Sequence, residues 1–292
     1  MNFRNNDFIG LLGTIKYYVL VECYYRCLAI FGKRSGITEV KRNPPLIISL
    51  TSIPERFNKL HLCIEALFRQ SIKPDRLILW LSETDTKIPN SIQNLTKRGL
   101  EIKFCKDIRS FKKIIYALKE FPNALIVTAD DDIFYPSTWL EELFLAYQKE
   151  PGLIHCHRAH LITKNSDGTI KKYKEWKFCA DGIEEPSPLL FPTGEGGVLY
   201  APGMLNTEVT NETVFTRLCP TADDVWLKAM SLLNNYSCKK ISRYKTSFTQ
   251  IKGTQTKALW KENTTAGANK NDDQIKAVFE YFNLNEKIKD LE

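Results

Sequence analysis

The chain predicts an α/β fold, a mostly parallel sheet flanked by helices, on three observations. Short apolar runs bounded by Pro, Asp or Gly recur through the first half, as buried parallel strands do. Segments with apolar residues at helical spacing lie between them, so strand and helix alternate. The composition, 43% hydrophobic and 26% charged over 292 residues, is that of a globular chain long enough to bury a sizeable core.

The elements follow in order. Residues Phe8 to Phe31 are apolar and aromatic, interrupted by Lys16, Glu22 and Arg26. No run there reaches the roughly 18 residues a spanning helix needs. The flanking cations Arg4, Lys33 and Arg34 suit a helix lying on an anionic membrane face, and a helix docked on the catalytic domain or a partner is the alternative. A Gly-, Lys- and Pro-rich linker closes this first unit at residue 44. Strands are predicted at Pro45–Thr51, Arg76–Ser82, Glu101–Cys105 and Ala124–Ala129, and helices at Asn58–Gln70, Ile88–Gly99 and Ser110–Glu120. Residues 45–136 thus form one half of the main domain. Residues 137–292 form a more irregular half: a helix over Ser137–Gln148, a strand over Gly152–Leu161, a glycine-rich turn entering a strand over Gly194–Tyr200 and a helix over Asp223–Leu233. A polar stretch from Lys252 to Asn271, a lid or a solvated loop, precedes a final helix over Asp273–Phe282.

Charge and cysteines narrow the classes. The net charge of +7 suits an anionic partner, a nucleotide diphosphate or a membrane surface, but it is spread along the chain. No basic block points to nucleic acid. The 8 cysteines form no CxxC pair, which predicts buried reduced thiols and a cytoplasmic protein, in which the N-x-[ST] triplets at Asn94, Asn211, Asn235 and Asn263 carry no glycan.

The chemistry is concentrated at Asp130-Asp131-Asp132, directly after the fourth strand. Ligands of open α/β sheets sit at such carboxyl ends. Adjacent carboxylates repel unless a cation compensates, and a hard divalent ion such as Mn²⁺ or Mg²⁺ takes oxygen ligands. The alternative is an acidic turn capping the next helix. His155, His157 and His160 fall on one predicted strand with the first two on one face, an arrangement that predicts packing or acceptor contact over a metal pair.

Val127-Thr-Ala-Asp-Asp-Asp-Ile-Phe-Tyr-Pro136 resembles the D-x-D region of GT-A fold glycosyltransferases. The likeness extends through Ser49-Leu-Thr-Ser-Ile-Pro-Glu-Arg56, Lys73-Pro-Asp-Arg-Leu-Ile-Leu-Trp80, Gly194-Glu-Gly-Gly197 and Asp223-Asp224-Val225-Trp226. It is similar to bacterial family-2-like enzymes that build cell-surface polysaccharides such as capsule and lipopolysaccharide. The resemblance implies that Asp130 contacts the donor sugar nucleotide and Asp132 the metal, with Asp131 supporting either. It implies that Thr51, Pro54, Glu55 and Arg56 lie against the nucleotide. It makes Asp224 the base that activates an acceptor hydroxyl, with Asp223 its acceptor-binding neighbour. Glu195, Gly196 and Gly197 would approach the acceptor sugar, and Asp130 would share the metal. Many such enzymes use a C-terminal histidine as a further metal ligand, and none lies beyond Asp224 here. Lys252, Lys257 and Lys261 are candidates for the positive charge near the diphosphate. The partners implied are a nucleotide-sugar donor and a glycan or lipid-linked acceptor, with membrane contact through residues 8–31. A nucleotidyltransferase is the second enzymatic reading, but Thr51-Ser-Ile-Pro-Glu-Arg56 lacks the glycine-rich phosphate loop such an enzyme wants. A non-catalytic sugar-binding module is the third.

Overall fold

The apolar runs of the first half assemble into adjacent parallel strands. β1 (Leu46–Thr51) pairs with β2 (Arg76–Ser82) on one side and β4 (Leu125–Ala129) on the other, and β3 (Leu100–Cys105) follows β2. Leu46, Ile47, Ile48 and Leu50 are all buried, as a central strand covered on both faces requires. The computed structural model describes residues 19–244, 246–254 and 270–291 of the chain. The helices α2 (Phe57–Leu67) and α4 (Lys112–Glu120) connect the strands, and α4 lies across β1, β2 and β4.

The second half completes the sheet with β6 (Ile154–Cys156), β9 (Val198–Tyr200) and β10 (Cys238–Lys240). The strand order is β10-β6-β9-β4-β1-β2-β3, and β9 runs antiparallel to both of its neighbours. Two ribbons stand off this sheet: β5 (Ile133–Phe134) with β11 (Thr249–Gln250), and β7 (Ala159–Leu161) with β8 (Leu190–Pro192). The remaining helices are α3 (Asn90–Gln93), α5 (Trp139–Lys149), α6 (Glu212–Leu218), α7 (Asp223–Leu233), α8 (Lys270–Tyr281) and α9 (Leu284–Lys289). The fold is therefore the predicted α/β sheet with a more irregular second half.

Two local expectations change. The helix expected over Ile88–Gly99 is a single α turn, α3, followed by a 3₁₀ helix over Asn94–Arg98. Ile92 and Leu95, three residues apart, are both buried, and a three-residue period puts both inward. Gly99 ends the segment as expected, at a φ of 103° that few side chains tolerate. The single strand expected over Gly152–Leu161 is two, because β6 belongs to the main sheet while β7 leaves it to pair with β8. His157 sits at that bend, so it does not share a strand face with His155. Their ring Nε2 atoms lie 2.9 Å from the carbonyl of Glu150 (His155) and 3.0 Å from that of Trp139 (His157). His160 Nδ1 accepts from the Cys179 N–H at 3.0 Å, so all three histidines are engaged in packing.

The N-terminal helix precedes these elements. Residues 19–31 form α1, and the stretch expected to be a linker is fastened to the core: Gly36 N–H donates to Arg98 O at 2.8 Å, and the buried Asp75 carboxylate accepts from the Arg42 and Leu46 N–H groups. The outward stripe of α1 carries Leu20, Tyr24, Ile30 and Phe31, all more than half exposed. Cys23 and Cys27 share that face, so these two thiols are exposed while the other six are buried. No helix of the described residues is long and apolar enough to cross a membrane. Residues 8–18 of the predicted N-terminal helix, Lys257 and Lys261 lie outside the described residues.

Candidate active site

The carboxyl end of β4, the loop after β1, the start of α4, the Gly194 turn and the N-terminus of α7 converge on one cleft of about 540 Å³. Thr51, Glu55, Arg56, Asp130, Asp131, Asp132, Glu195, Asp223 and Asp224 all line it, although they span most of the described chain. Pro54, Gly196 and Gly197 do not. Pro54 opens the 3₁₀ helix that carries Glu55 and Arg56. Gly197 has φ +87°, and a Cβ there would lie 2.4 Å from the Trp139 ring, so it serves close packing. A Cβ on Gly196 would lie 3.0 Å from the Arg158 backbone nitrogen, a tight but less severe contact.

The three aspartates separate by environment. Asp131 is the innermost, only 4% exposed, and accepts from both the Ser52 hydroxyl and the Arg56 guanidinium. Burial raises its pKa, opposed by the Arg56 charge and the Ser52 hydrogen bond. Asp132 turns outward enough to lie 3.2 Å from Arg56 while its carbonyl holds the Ile251 N–H at 2.7 Å. Asp130 accepts from Lys113 Nζ at 2.8 Å, and its own N–H donates to the Tyr135 hydroxyl at 2.8 Å. The acidic triplet is therefore no helix cap: α5 begins only at Trp139 and carries no side-chain cap hydrogen bond.

Opposite stands the start of α7. Thr221 turns its N–H and hydroxyl to Gln274 at 3.0 and 3.1 Å and leaves α7 uncapped by any side chain. Asp223 accepts from the Ser110 hydroxyl at 2.8 Å and lies 3.4 Å from Lys113 Nζ. Both oxygens of Asp224 accept from the Gly194 N–H, at 3.1 and 3.2 Å. Part of Asp224 stays open to the cleft, yet its carboxyl is so enclosed by protein that burial, then Asp223 and Asp130, push its pKa up to about 7, with Lys113 and the Gly194 N–H pulling the other way. A group poised there exchanges protons at neutral pH.

Lys113 joins the two acidic groups, though no motif marks it. It lies 6% exposed in the first turn of α4, where Ile114 and Ile115 are buried as well. Burial would lower its pKa, but Asp130, Asp223 and Asp224 outweigh that and raise it, so it is a fixed cation. The available signal was a lysine inside an apolar helical stretch. Gly194 passes so close that a Cβ there would meet Lys113 Nζ at 3.0 Å and Asp224 Oδ1 at 3.4 Å. Arg158, in the bend between β6 and β7, is a further cation at the cleft. It bridges Glu195 at 2.8 Å and the Thr193 hydroxyl at 3.0 Å, which ties down the predicted acceptor-side glutamate. Arg109, with φ 56°, brings a strained non-glycine backbone to the cleft wall. The predicted nucleotide contacts are partly engaged: the Thr51 hydroxyl donates to Trp80 O at 2.8 Å and Arg56 Nε to Thr254 O at 3.0 Å. Among the described residues no group of three His, Cys, Asp or Glu side chains forms a ready metal cage. Asp130 and Asp132 offer hard oxygen atoms only, the donor set of an ion whose remaining ligands are phosphate and water.

No family model matches the chain, and no curated protein matches it. Among solved structures, a mannosyltransferase from Pyrobaculum calidifontis in complex with GDP-Man and Mn²⁺ is similar over 95% of this chain and 82% of that one, at 11% identity and a TM-score of 0.45. The inositol-1-phosphate CTP transferase from T. maritima matches over 82% of this chain and 98% of its own, at 13% identity and a TM-score of 0.44. A 4-diphosphocytidyl-2C-methyl-D-erythritol synthase matches over 55% and 76%, at 13% identity and a TM-score of 0.35. Likenesses this distant leave the function of this chain to its own residues.

Proposed function

We propose that the chain is a glycosyltransferase that moves a sugar from a nucleotide-diphosphate donor, a UDP-sugar first among those to test, to a hydroxyl of a cell-surface glycan or lipid-linked acceptor. The observation that carries this reading is Asp224: a carboxylate with its pKa near 7, facing a cleft whose other wall is the Asp130–Asp132 turn. In the step proposed, the acceptor oxygen forms a bond to the anomeric carbon as that carbon's bond to the diphosphate breaks. Asp224 receives the acceptor's proton, and the nucleotide diphosphate leaves with the electron pair. One displacement at one carbon inverts its configuration.

The chain's own residues orient these groups. The Gly194 N–H aims the Asp224 carboxylate, and Lys113 keeps Asp130 and Asp223 apart from one another as charges while holding both near the cleft floor. Arg56, braced on Asp131 and Asp132, brings positive charge to the nucleotide side. Mn²⁺ or Mg²⁺ held by Asp132 and Asp130 would supply charge neutralisation for the departing diphosphate. Residues 8–31 contact the inner face of the cell membrane peripherally in this reading. The two-unit division, 1–44 and 45–292, and the Lys257 contact to the diphosphate belong to the same proposal.

The test is calorimetric titration with UDP-, GDP- and CDP-sugars in Mn²⁺, followed by product analysis. Transfer releases a nucleoside diphosphate; a nucleotidyltransferase running on a sugar phosphate releases pyrophosphate instead. Asp132→Ala should abolish the cation-dependent part of donor binding. Binding of no nucleotide sugar would leave the sugar-binding module as the reading.

A further inference from the structure

A second charged cluster lies at the far end of α2. That helix starts at the cleft, directly after Arg56, and its 11 residues carry the chain to Leu67, roughly 16 Å away at about 1.5 Å per residue. Four cations gather there: Arg34, Arg69, Lys73 and Arg98. Arg98 closes on the fully buried Glu65, with Nη1 on one oxygen and Nη2 3.0 Å from the other. Its guanidinium lies over the Phe68 ring at 4.8 Å, and its Nε donates to Arg34 O at 3.1 Å. Lys73 Nζ donates to Phe68 O. Arg69 reaches the Glu65 carboxylate loosely, at 3.8 Å, and its buried Nε has no acceptor among the described residues.

Positive charge is left over. Four cations against the one Glu65 carboxylate leave three, and the carboxyl end of α2 offsets about half a charge more. The surplus is felt at the half-buried Lys73, where burial, then the Arg34, Arg69 and Arg98 charges, lower the pKa to about 8. Like charges held together in a partly enclosed place cost stability unless an anion compensates. Glu65 already takes the place of a carboxylate on Arg98. A phosphate monoester, with about two charges and three acceptor oxygens, matches what remains.

We infer that Arg34, Arg69, Lys73 and Arg98 bind a phosphate group, at a site distinct from the cleft. The site needs nothing from the transferase reading. A free phosphate ester and the headgroup of an anionic lipid offer the same chemistry. The surroundings favour the headgroup: a Cβ on Gly32 would lie 3.2 Å from Arg98 Nη2, and Ile30 and Phe31, just before that glycine, are exposed.

Lys73 reports on the site itself. The full chain is trace-labelled with acetic anhydride at pH 8, without nucleotide or metal, and acetylation of Lys73 is read by mass spectrometry against that of the exposed Lys276. A bound phosphate that raises the Lys73 pKa by about one unit cuts its free amine, and hence its labelling, about fivefold. Inorganic phosphate, or phosphatidylcholine vesicles containing phosphatidic acid, should give this protection. Chloride at equal ionic strength, succinate and pure phosphatidylcholine should not. Stronger protection by the vesicles assigns the headgroup, stronger protection by inorganic phosphate a free phosphate ester, and either result supports the site. Arg34→Gln and Arg69→Gln should each reduce the protection to about twofold or less, while Lys119→Gln, at an exposed position on α4, should leave it unchanged. Protection by neither phosphate source would overturn the inference. So would equal protection by succinate or chloride, or protection that survives intact in both arginine variants. No nucleotide is present, so the outcome is independent of donor binding, which the calorimetric titration reads separately.

Discussion

Replacing Lys113 with methionine tests how the site is held together. The variant keeps much of the volume and removes a charge that touches both acidic groups. Lys113 Nζ stands 2.8 Å from Asp130 and 3.4 Å from Asp223. At an effective dielectric near 20 each contact amounts to about 5–6 kcal/mol of gross attraction. Desolvation of the lysine and the carboxylates offsets much of this, and stranding a buried charge by deleting its partner costs about 3–5 kcal/mol net. The site has one escape, since Asp224 already holds its proton up to about pH 7 with Lys113 in place.

The sign of the pH dependence follows. The folded Asp224 carboxyl binds its proton more tightly than the unfolded one, so stability contributed by this group falls as pH rises from the unfolded pKa to the folded one. Without Lys113 the folded pKa moves higher and the fall extends further up. The destabilisation measured by urea unfolding should therefore be larger at pH 8.5 than at pH 6. The acidic limb of the pH–rate profile should shift upward by about one unit or more, each unit being about 1.4 kcal/mol. Equal destabilisation at both pH values together with an unmoved profile would refute the coupling of Lys113 to Asp224.

Other outcomes follow from the same geometry. Asp224→Asn should reduce the transfer rate by about 10²–10⁴-fold while leaving calorimetric donor affinity unchanged, and retained turnover would remove Asp224 as the base. In the unmodified protein, kcat/KM for transfer should rise with pH through about 7, because the base must lose its proton before it can accept the acceptor's. Gly197→Ala should lower stability by about 1–3 kcal/mol in urea unfolding, since φ +87° is unfavourable for alanine and the new Cβ meets the Trp139 ring at 2.4 Å. Arg56→Met should unfold more readily and should weaken donor binding, as it leaves the buried Asp131 with the Ser52 hydroxyl alone.

Much of the sheet was legible because its signal is local. Leu46–Thr51, Arg76–Ser82 and Leu125–Ala129 are apolar on both faces, and no other arrangement buries such short runs so completely. The second half was less so. Its strands β7, β8, β10 and β11 are two or three residues long, and each exists because a distant partner accepts its hydrogen bonds. Cys238–Lys240 carries no strand pattern of its own, and only the neighbouring edge of β6 makes it one. The small ribbon of Ile133–Phe134 with Thr249–Gln250 joins segments far apart in sequence, so nothing near either pair announces it.

The candidate site divides along the same line. Asp130–Asp132 and Asp223–Asp224 stand out because acidic residues at element ends are visible one segment at a time. What makes them a site is the charge between them, and that comes from Lys113, which in sequence is one more lysine in a basic chain. Its significance is set by burial: solvated, it would interact weakly with any carboxylate, whereas at 6% exposure it pairs with Asp130 and Asp223 and feels the charge of Asp224. Gly194 acts in the same hidden way, since its role is to leave room for Lys113 and Asp224 while donating its N–H to the latter. The acidic residues therefore mark where the cleft is; burial and Asp223 raise the pKa of the Asp224 carboxyl, Lys113 restrains that rise, and Gly194 aims the group.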